Sequence, residues 1–257
     1  MKRSPGILAM VMLATLGGGA GDSRASGLVL VDFEDLSPAP STFPETTPLA
    51  DRYGPLGLVF SGVGDNGGAI LDAKVGAFAM SGYSGNNILA FNVDAKPMEN
   101  GGLPLLPETM SFDPPLQSLQ LTAAVSEEYW GMHVTLEAFD AEDQPLDSDD
   151  LEASGVFQQM SVSGPAIAKV VVNSDAPVVG IDDVAFLPVG AVLCGDANGD
   201  AKVTAADALL ALKTAVGSDT CTLARCDFNG DGKVSAADAL QILKTAVGTT
   251  TTPNCPD

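Results

Sequence analysis

Between residues 26 and 188, the apolar residues fall in short runs in which apolar and polar positions alternate. Glycine, proline, asparagine and aspartate separate the runs, which cover residues 28–33, 56–60, 88–92, 119–124, 133–140, 167–173 and 181–186. Short alternating runs between turn-forming residues are typical of strands in antiparallel sheets. Since no amphipathic helix of useful length interrupts them, the pattern predicts a β-sandwich domain over residues 26–188.

After residue 188 the apolar pattern becomes helical. Two stripes follow the i, i+3, i+7 spacing of one helix face, and Gly217 and Gly248 follow them as C-terminal caps. The stripes are Leu209, Leu212 and Val216 and, 31 residues later, Leu240, Leu243 and Val247. Because each stripe is too narrow for an isolated helix, we expect the two helices to pack against each other along them, in a small all-α module over residues 189–257.

The twelve residues before each helix are also duplicated, as DANGDAKVTAAD from residue 196 and DFNGDGKVSAAD from residue 227. Calcium takes about six to eight oxygen ligands, and an EF-hand-type loop supplies them from its positions 1, 3, 5, 7, 9 and 12. The pattern therefore predicts two Ca²⁺ ions, one in each loop. The predicted ligands are Asp196, Asn198, Asp200, the Lys202 carbonyl, Thr204 and Asp207 in loop one, and Asp227, Asn229, Asp231, the Lys233 carbonyl, Ser235 and Asp238 in loop two.

The last residues of each loop also carry the signal for the start of a helix. Thr204 and Ser235 are good N-caps, and the aspartate three residues later completes a box-like arrangement at the positive end of the helix dipole. The sequence therefore predicts that calcium binding and helix formation are one event. Loop one has Ala201 at its sixth position, where loop two has Gly232, and a left-handed alanine costs roughly 1–2 kcal/mol. We therefore expect loop two to bind calcium more tightly.

Charge and the N-terminus limit the classes of function. The chain has 33 acidic and 12 basic residues and a formal net charge of -21, which argues against a nucleic-acid partner. A basic start, an apolar run over residues 7–16 and a small-residue tract predict a signal peptide over residues 1–25, cleaved after Ala20 or Ala25, and hence a secreted protein. No later stretch is long and uncharged enough to predict a membrane span.

The paired loops, each followed by one helix, resemble a type I dockerin over residues 194–248. The resemblance implies docking onto a cohesin domain in a cellulosome-like assembly, in either of two orientations related by the repeat. The positions that correspond to cohesin recognition hold Ala205, Ala206, Lys213, Ala236, Ala237 and Lys244. Alanines replace the Ser-Thr pair of well-studied dockerins. Two interpretations follow: either the module binds an unusual cohesin, or it acts as an intramolecular clasp.

All four cysteines lie in this module, and an exported protein favours two disulfides over a zinc site. We favour Cys194 with Cys255, joining the two ends of the module, and Cys221 with Cys226, closing the connector between the repeats. The alternative pairs Cys194 with Cys221 and Cys226 with Cys255. Metal and disulfides together would stabilise a module too small for a large core.

The β domain resembles secreted jelly-roll domains of the galactose-binding-like and carbohydrate-binding kind. The resemblance lies in VDFEDL from residue 31, SFDPPL from residue 111 and GIDDVAF from residue 180. It implies paired first and last strands whose acidic residues hold one structural calcium, with Glu34, Asp182 and Asp183 as candidates. Trp130 and Tyr129 are candidates for a sugar-stacking platform beside two glutamates, although a lone tryptophan is more often part of a core.

No catalytic set stands out in the sequence. The single histidine, His133, lies in an alternating strand, which favours a packed or surface imidazole, and no nucleophilic triad is supported. The sequence therefore favours a non-catalytic protein that binds a glycan or a cell surface. The competing hypothesis is a glycoside hydrolase, because dockerins commonly accompany such enzymes and a carboxylate pair cannot be read from sequence.

Overall fold

A computed structural model describes residues 27–37, 39, 49–62, 68–74, 79–92, 106–249 and 251–256. They form two compact units, a β unit over Val29–Val189 and a C-terminal unit over Gly190–Asp257 that also includes the described residues 27–28. The predicted signal peptide lies outside the described residues. None of the helices in these ranges combines the length and the apolar character that a membrane span requires.

Antiparallel strands build the β unit, and three of them are unusually long. Its described strands are β1 (Val29–Val31), β2 (Leu58–Gly62), β3 (Ala69–Asp72), β4 (Asn87–Asn92), β5 (Glu108–Val125), β6 (His133–Phe139), β7 (Pro145–Glu152), β8 (Gln158–Ser174) and β9 (Val178–Pro188). Short 3₁₀ turns lie at Gly54–Leu56 and Glu127–Tyr129. The strand order is β3-β4-β9-β5-β8-β6-β7, with β1 paired to β9 and β2 paired to β5.

The long strands β5 and β8 each pair with different neighbours along their length. Residues 108–111 of β5 pair with β2 and with residues 169–172 of β8, whereas residues 116–125 pair with β9 and, in part, with residues 158–163 of β8. The register shifts between these segments, where β5 contains Pro114 and Pro115 and β8 contains Pro165. Proline has no N–H for the ladder, so the pairing is interrupted there and the strands can bend.

The folded sheet encloses a main apolar core and a smaller cluster around Ile88, Ala124 and Phe157, and the predicted sandwich is confirmed. In β6 the apolar residues Val134, Leu136 and Ala138 are buried while His133 and Glu137 are exposed, as the period of two requires. The largest buried side chains of this core include Phe33, Phe60, Phe186, Leu58, Met110, Leu116 and Leu119. The alternation read from the sequence therefore predicts which face of β6 packs inward.

The C-terminal unit contains α1 (Ala205–Ala215), the short α2 (Leu223–Cys226) and α3 (Ala236–Ala246). Helices α1 and α3 contact each other, as predicted, but the expected contact surface is wrong. Their buried apolar residues are Ala208 and Ala211 on α1 and Ala239 and Ile242 on α3. The side chains of the predicted stripes are instead 40–73% exposed. Alanine at the contact lets two helix backbones approach closely, so the larger side chains remain on the neighbouring face.

Candidate functional site

Each calcium-type loop is folded around its first aspartate. Asp196 Oδ1 accepts a hydrogen bond from the Asp200 amide at 3.0 Å, and its Oδ2 accepts one from the Ala201 amide at 3.0 Å. Asp227 accepts the equivalent bonds from Asp231 at 3.0 Å and from Gly232 at 2.8 Å. The two loops therefore share these bonds but differ at the fourth residue, where the Gly199 amide donates to Asp196 Oδ1 at 2.7 Å and the Gly230 amide donates to the Asp227 backbone carbonyl at 3.2 Å.

The last aspartate of each loop connects the loop to its helix. Asp207 accepts the Asn198 amide on Oδ1 at 3.1 Å and the Thr204 amide on Oδ2 at 2.8 Å. In loop two, Asp238 accepts the corresponding amides at 3.1 and 2.9 Å. Both helices begin with a capping box that includes the hydroxyl of Thr204 or Ser235. These carboxylates therefore link each loop to the start of its helix, and the coupling of helix formation to calcium binding stays a prediction.

The donor chemistry of the loops fits calcium. Each loop contains three carboxylates, an amide oxygen, a hydroxyl and backbone carbonyls, all of which are oxygen donors that Ca²⁺ prefers. The aspartates at the first and last positions are at most 2% exposed, and buried carboxylates are costly unless a cation or hydrogen bonds compensate them. In the described residues no group of three acidic, histidine or cysteine side chains is gathered closely enough to hold a metal alone. The ion would therefore also use the amide and backbone oxygens, and the ligand set remains a prediction.

The sixth position of each loop adopts a left-handed conformation. The φ angle is 63° at Ala201 and 83° at Gly232. Only the alanine is strained there, because its Cβ crowds the backbone. The structure thus provides the geometry on which the predicted difference in calcium affinity depends.

The positively charged side chain of Arg225 lies beside loop one. Arg225 Nη1 is 2.9 Å from Asp196 Oδ2. Burial raises the pKa of Asp196, and the loop amides and Arg225 oppose that shift. Sequence reasoning missed this contact because the two residues are 29 positions apart.

The disulfides follow the favoured pairing. Cys194 is bonded to Cys255 and Cys221 to Cys226, with Cα–Cα distances of 5.6 and 6.1 Å. The first bridge joins the two ends of the unit, and the second spans α2, from Cys221 just before the helix to Cys226 at its last position. No cysteine among the described residues is free.

A face of each helix is exposed and largely apolar. It consists of Ala205, Ala206, Leu209, Leu212, Lys213 and Val216 on α1 and of Ala236, Ala237, Leu240, Leu243, Lys244 and Val247 on α3. These are the positions that the dockerin resemblance assigns to partner binding, together with the stripes that we expected in the core. The structure therefore moves the stripes from the core to the candidate docking face.

The acidic candidates of the β unit meet at the segment 84–87. Glu34 Oε1 accepts the amides of Asn86 and Asn87 at 2.7 and 2.6 Å. Asp182 accepts the Ser84 amide at 2.6 Å, and Asp183 accepts the Ser84 hydroxyl at 2.8 Å. The three carboxylates predicted from the sequence thus hold the same short segment.

Burial and repulsion between carboxylates raise the pKa of both Asp182 and Asp183. Desolvation, with a further contribution from Asp183, raises the pKa of Asp182 to about 8. Burial also raises the pKa of Asp183, and the charges of Asp32 and Glu34 add to it. Sequence reasoning missed Asp32, which follows β1 and accepts the Glu34 amide on Oδ1 at 3.2 Å.

The two aromatic candidates have different environments. Trp130 is 56% exposed, and its indole lies against Gly155, where an added Cβ would be 2.7 Å from Nε1. Tyr129 is partly buried against the core. Only Trp130 therefore presents a large aromatic surface, and it is not a core residue.

His133 lies at the surface with an acidic partner. Its Nδ1 is 2.7 Å from Asp150 Oδ1. The hydrogen bond to Asp150, followed by the charge of that carboxylate, raises the pKa of His133. His133 is therefore a surface imidazole, one of the two environments that the sequence favoured.

Comparison with known families identifies one segment of the chain. Residues 194–246 match the model of the dockerin type I domain, which confirms the resemblance stated from the two loops. Dockerins are calcium-binding modules, which supports Ca²⁺ as the cofactor of this unit. No curated protein sequence matches the chain.

Several solved structures are similar to the chain at low identity. The adhesin domain of Lys-gingipain from Porphyromonas gingivalis is 16% identical, with a TM-score of 0.39, covering 63% of this chain and 99% of that one. A DUF4465 family protein from Bacteroides caccae is 13% identical, with a TM-score of 0.39 and the same coverage. The family 32 carbohydrate-binding module of C. perfringens NanJ, solved with galactose, is 10% identical, with a TM-score of 0.31, covering 50% of this chain and 92% of that one. At this level of similarity the neighbours do not assign a ligand to the β unit.

Proposed function

We propose that this chain is a secreted, non-catalytic binding protein that a calcium-loaded dockerin module attaches to a cohesin-like partner. Two matched loops with buried carboxylates, each leading into a helix with an exposed apolar face, carry the proposal. The β unit supplies the second function, binding of a glycan or a cell surface. Its domain is proposed to cover residues 26–188, with the dockerin module over residues 189–257.

Calcium would stabilise the loops by neutralising the buried carboxylates. We propose one ion in each loop, held by the oxygen donors predicted from the sequence. Isothermal titration of the full chain, first stripped with a chelator, tests this. Asp200→Ala and Asp231→Ala should each remove one binding event, with the larger loss for Asp231→Ala. If neither variant changes calcium binding, the proposed loops are not the sites.

The docking face would bind a cohesin-like domain through apolar contacts flanked by a lysine. Both helices present equivalent residues, so the module can dock through α1 or, after a half turn, through α3. Leu209→Asp alone should therefore weaken binding to a panel of type I cohesins only slightly, whereas Leu209→Asp with Leu240→Asp should abolish it. Calcium titration of the double variant is the control for an intact module. If the unmodified chain binds no cohesin while its module is folded, the self-clasping alternative is favoured.

The β unit would bind a sugar on the exposed face of Trp130. The indole lies against Gly155 and Trp130 is 56% exposed, so part of the ring surface is accessible for stacking. A glycan array with a hydrolysis readout tests this, with Trp130→Ala as the variant and Tyr129→Phe as the matched control. Retention without turnover, lost only in Trp130→Ala, supports the binding function. Turnover of any retained glycan would favour the glycoside hydrolase.

We also propose one structural calcium in the β unit, between Glu34, Asp182 and Asp183. The three carboxylates contact the same segment and are partly or fully buried, so a cation there would relieve their repulsion. Because they are not gathered closely enough to hold a metal alone, the ion would also use backbone or hydroxyl oxygens near residues 84–87. It would appear as a calcium equivalent that survives in the Asp200→Ala, Asp231→Ala double variant and disappears on adding Asp182→Asn. If the loop double variant binds no calcium, this site does not exist.

A further inference from the structure

Arg225 connects α2 to loop one by three contacts. Its Nη1 donates to the Asp196 backbone carbonyl at 3.0 Å and to Asp196 Oδ2 at 2.9 Å. Its own carbonyl accepts the Gly195 amide at 2.7 Å. The guanidinium also covers Gly199, the fourth residue of the loop, where an added Cβ would be 3.5 Å from Nη1. The side chain of Asp196 is 3% exposed, so this cation is paired with a buried carboxylate.

Loop two has a neutral residue in the corresponding place. Asn254 covers Gly230, the fourth residue of that loop, and its Nδ2 donates to the Asn229 carbonyl at 3.3 Å. The backbone amide of Asn254 donates to the Phe228 carbonyl at 3.0 Å. None of the ion pairs found in the described residues involves Asp227, the equivalent of Asp196. The two loops therefore share the amide bonds from their fifth and sixth residues to the first aspartate, but only the first aspartate of loop one is paired with a fixed positive charge among the described residues.

We propose that Arg225 makes the two calcium sites unequal, by acting as a resident counter-ion for loop one. This inference rests on the proposed calcium function of both loops. The guanidinium compensates the burial of Asp196 when no metal is bound, which keeps loop one formed. The same charge then repels an incoming divalent ion, which lowers the calcium affinity of loop one. Loop two lacks this charge and fills first.

The position of Arg225 also lets loop two influence loop one. Only Cys226 separates Arg225 from Asp227, the first residue of loop two, and Cys226 is held by its disulfide to Cys221. Ordering loop two therefore fixes the backbone from which Arg225 reaches loop one. Calcium at the tight site would strengthen the hold of Arg225 on the weak site, so the second ion should bind at markedly higher concentration.

The test is calcium titration of the full chain on two single-loop backgrounds. Asp231→Ala leaves loop one as the loop that titrates, and adding Arg225→Gln should tighten its Kd by about tenfold, which corresponds to about 1.4 kcal/mol. Asp200→Ala leaves loop two, and adding Arg225→Gln there should change its Kd by less than about twofold. Lys169→Gln is the matched control, because it removes the same charge from a surface ion pair with Asp143 in the β unit. Circular dichroism in excess calcium verifies that each variant has folded helices.

The possible failures are distinguishable. If the unmodified chain binds no calcium, the proposed function fails with the inference. If both loops bind but Arg225→Gln leaves loop one unchanged or weakens it, the inference alone is wrong. It is also wrong if the Asp231→Ala chain binds too weakly to measure and Arg225→Gln does not restore measurable binding. Equal tightening from Lys169→Gln would show that net charge, rather than the contact with Asp196, is responsible.

Discussion

Exchanging the sixth residues of the two loops should shift the stability of the C-terminal unit in opposite directions. Ala201 is held at a φ of 63°, a conformation that costs a non-glycine residue about 1–2 kcal/mol. Glycine avoids that cost but loses about 0.5–1 kcal/mol more backbone entropy on folding. Ala201→Gly should therefore raise the free energy of unfolding by about 1 kcal/mol, which is a rise in Tm of about 4–8 °C for a unit of this size.

The matched variant is Gly232→Ala. An added Cβ at this position meets nothing within 4 Å, so its penalty is conformational and not a steric clash. We expect a fall in Tm of similar size, and the double exchange should return close to the original value. Thermal unfolding in saturating calcium, followed by far-ultraviolet circular dichroism, reports on this unit because α1 and α3 both lie in it. No stabilisation from Ala201→Gly would refute the argument that left-handed strain distinguishes the loops.

Other regions of the molecule give three further predictions. Ile242→Ala should lower the free energy of unfolding of the C-terminal unit by about 2–4 kcal/mol, because the side chain is fully buried, whereas Leu243→Ala should cost less than about 1 kcal/mol; denaturant titration checks both, and equal effects would contradict the observed helix face. His133 is the single histidine, and its NMR signal should titrate with a pKa above the ordinary value of about 6.5. In Asp150→Asn this pKa should return towards about 6.5, because the shift depends on the Asp150 carboxylate. The favourable pairing of His133 with Asp150 is lost as the pH rises through the raised pKa. Chelation of calcium should reduce the helical signal reversibly, since the loop carboxylates also cap the helices; an unchanged spectrum would show that the disulfides and Arg225 suffice.

Local chemistry determined much of what could be predicted. Each calcium-type loop and its helix cap lie within twelve consecutive residues, so residue identity and spacing specify the hydrogen bonds that Asp207 and Asp238 accept. The alternation of β6 likewise predicts its buried face, because successive side chains of a strand point in opposite directions. These features depend on contacts between neighbours in the chain.

Helix packing depended on tertiary structure. An apolar stripe predicts which face of a helix avoids water, and leucine is more apolar than alanine, so the pattern predicts Leu209 and Leu240 in the core. The structure buries Ala208 and Ala239 instead, because small residues allow the two backbones to approach. The hydrophobic pattern alone does not specify how closely the backbones of α1 and α3 approach each other.

Long-range contacts were the other part that the sequence could not specify. Arg225 reaches Asp196 across 29 positions, and Asp32 adds to the charge around Asp183, which is far from it in the chain. The exposure of Trp130 depends on how its turn lies over Gly155, which no local pattern encodes. The sequence by itself therefore determined the loops, the caps and the strand faces, since their interactions are local. The tertiary structure decided which helix faces remain open and which charges meet, because both depend on where distant segments come together.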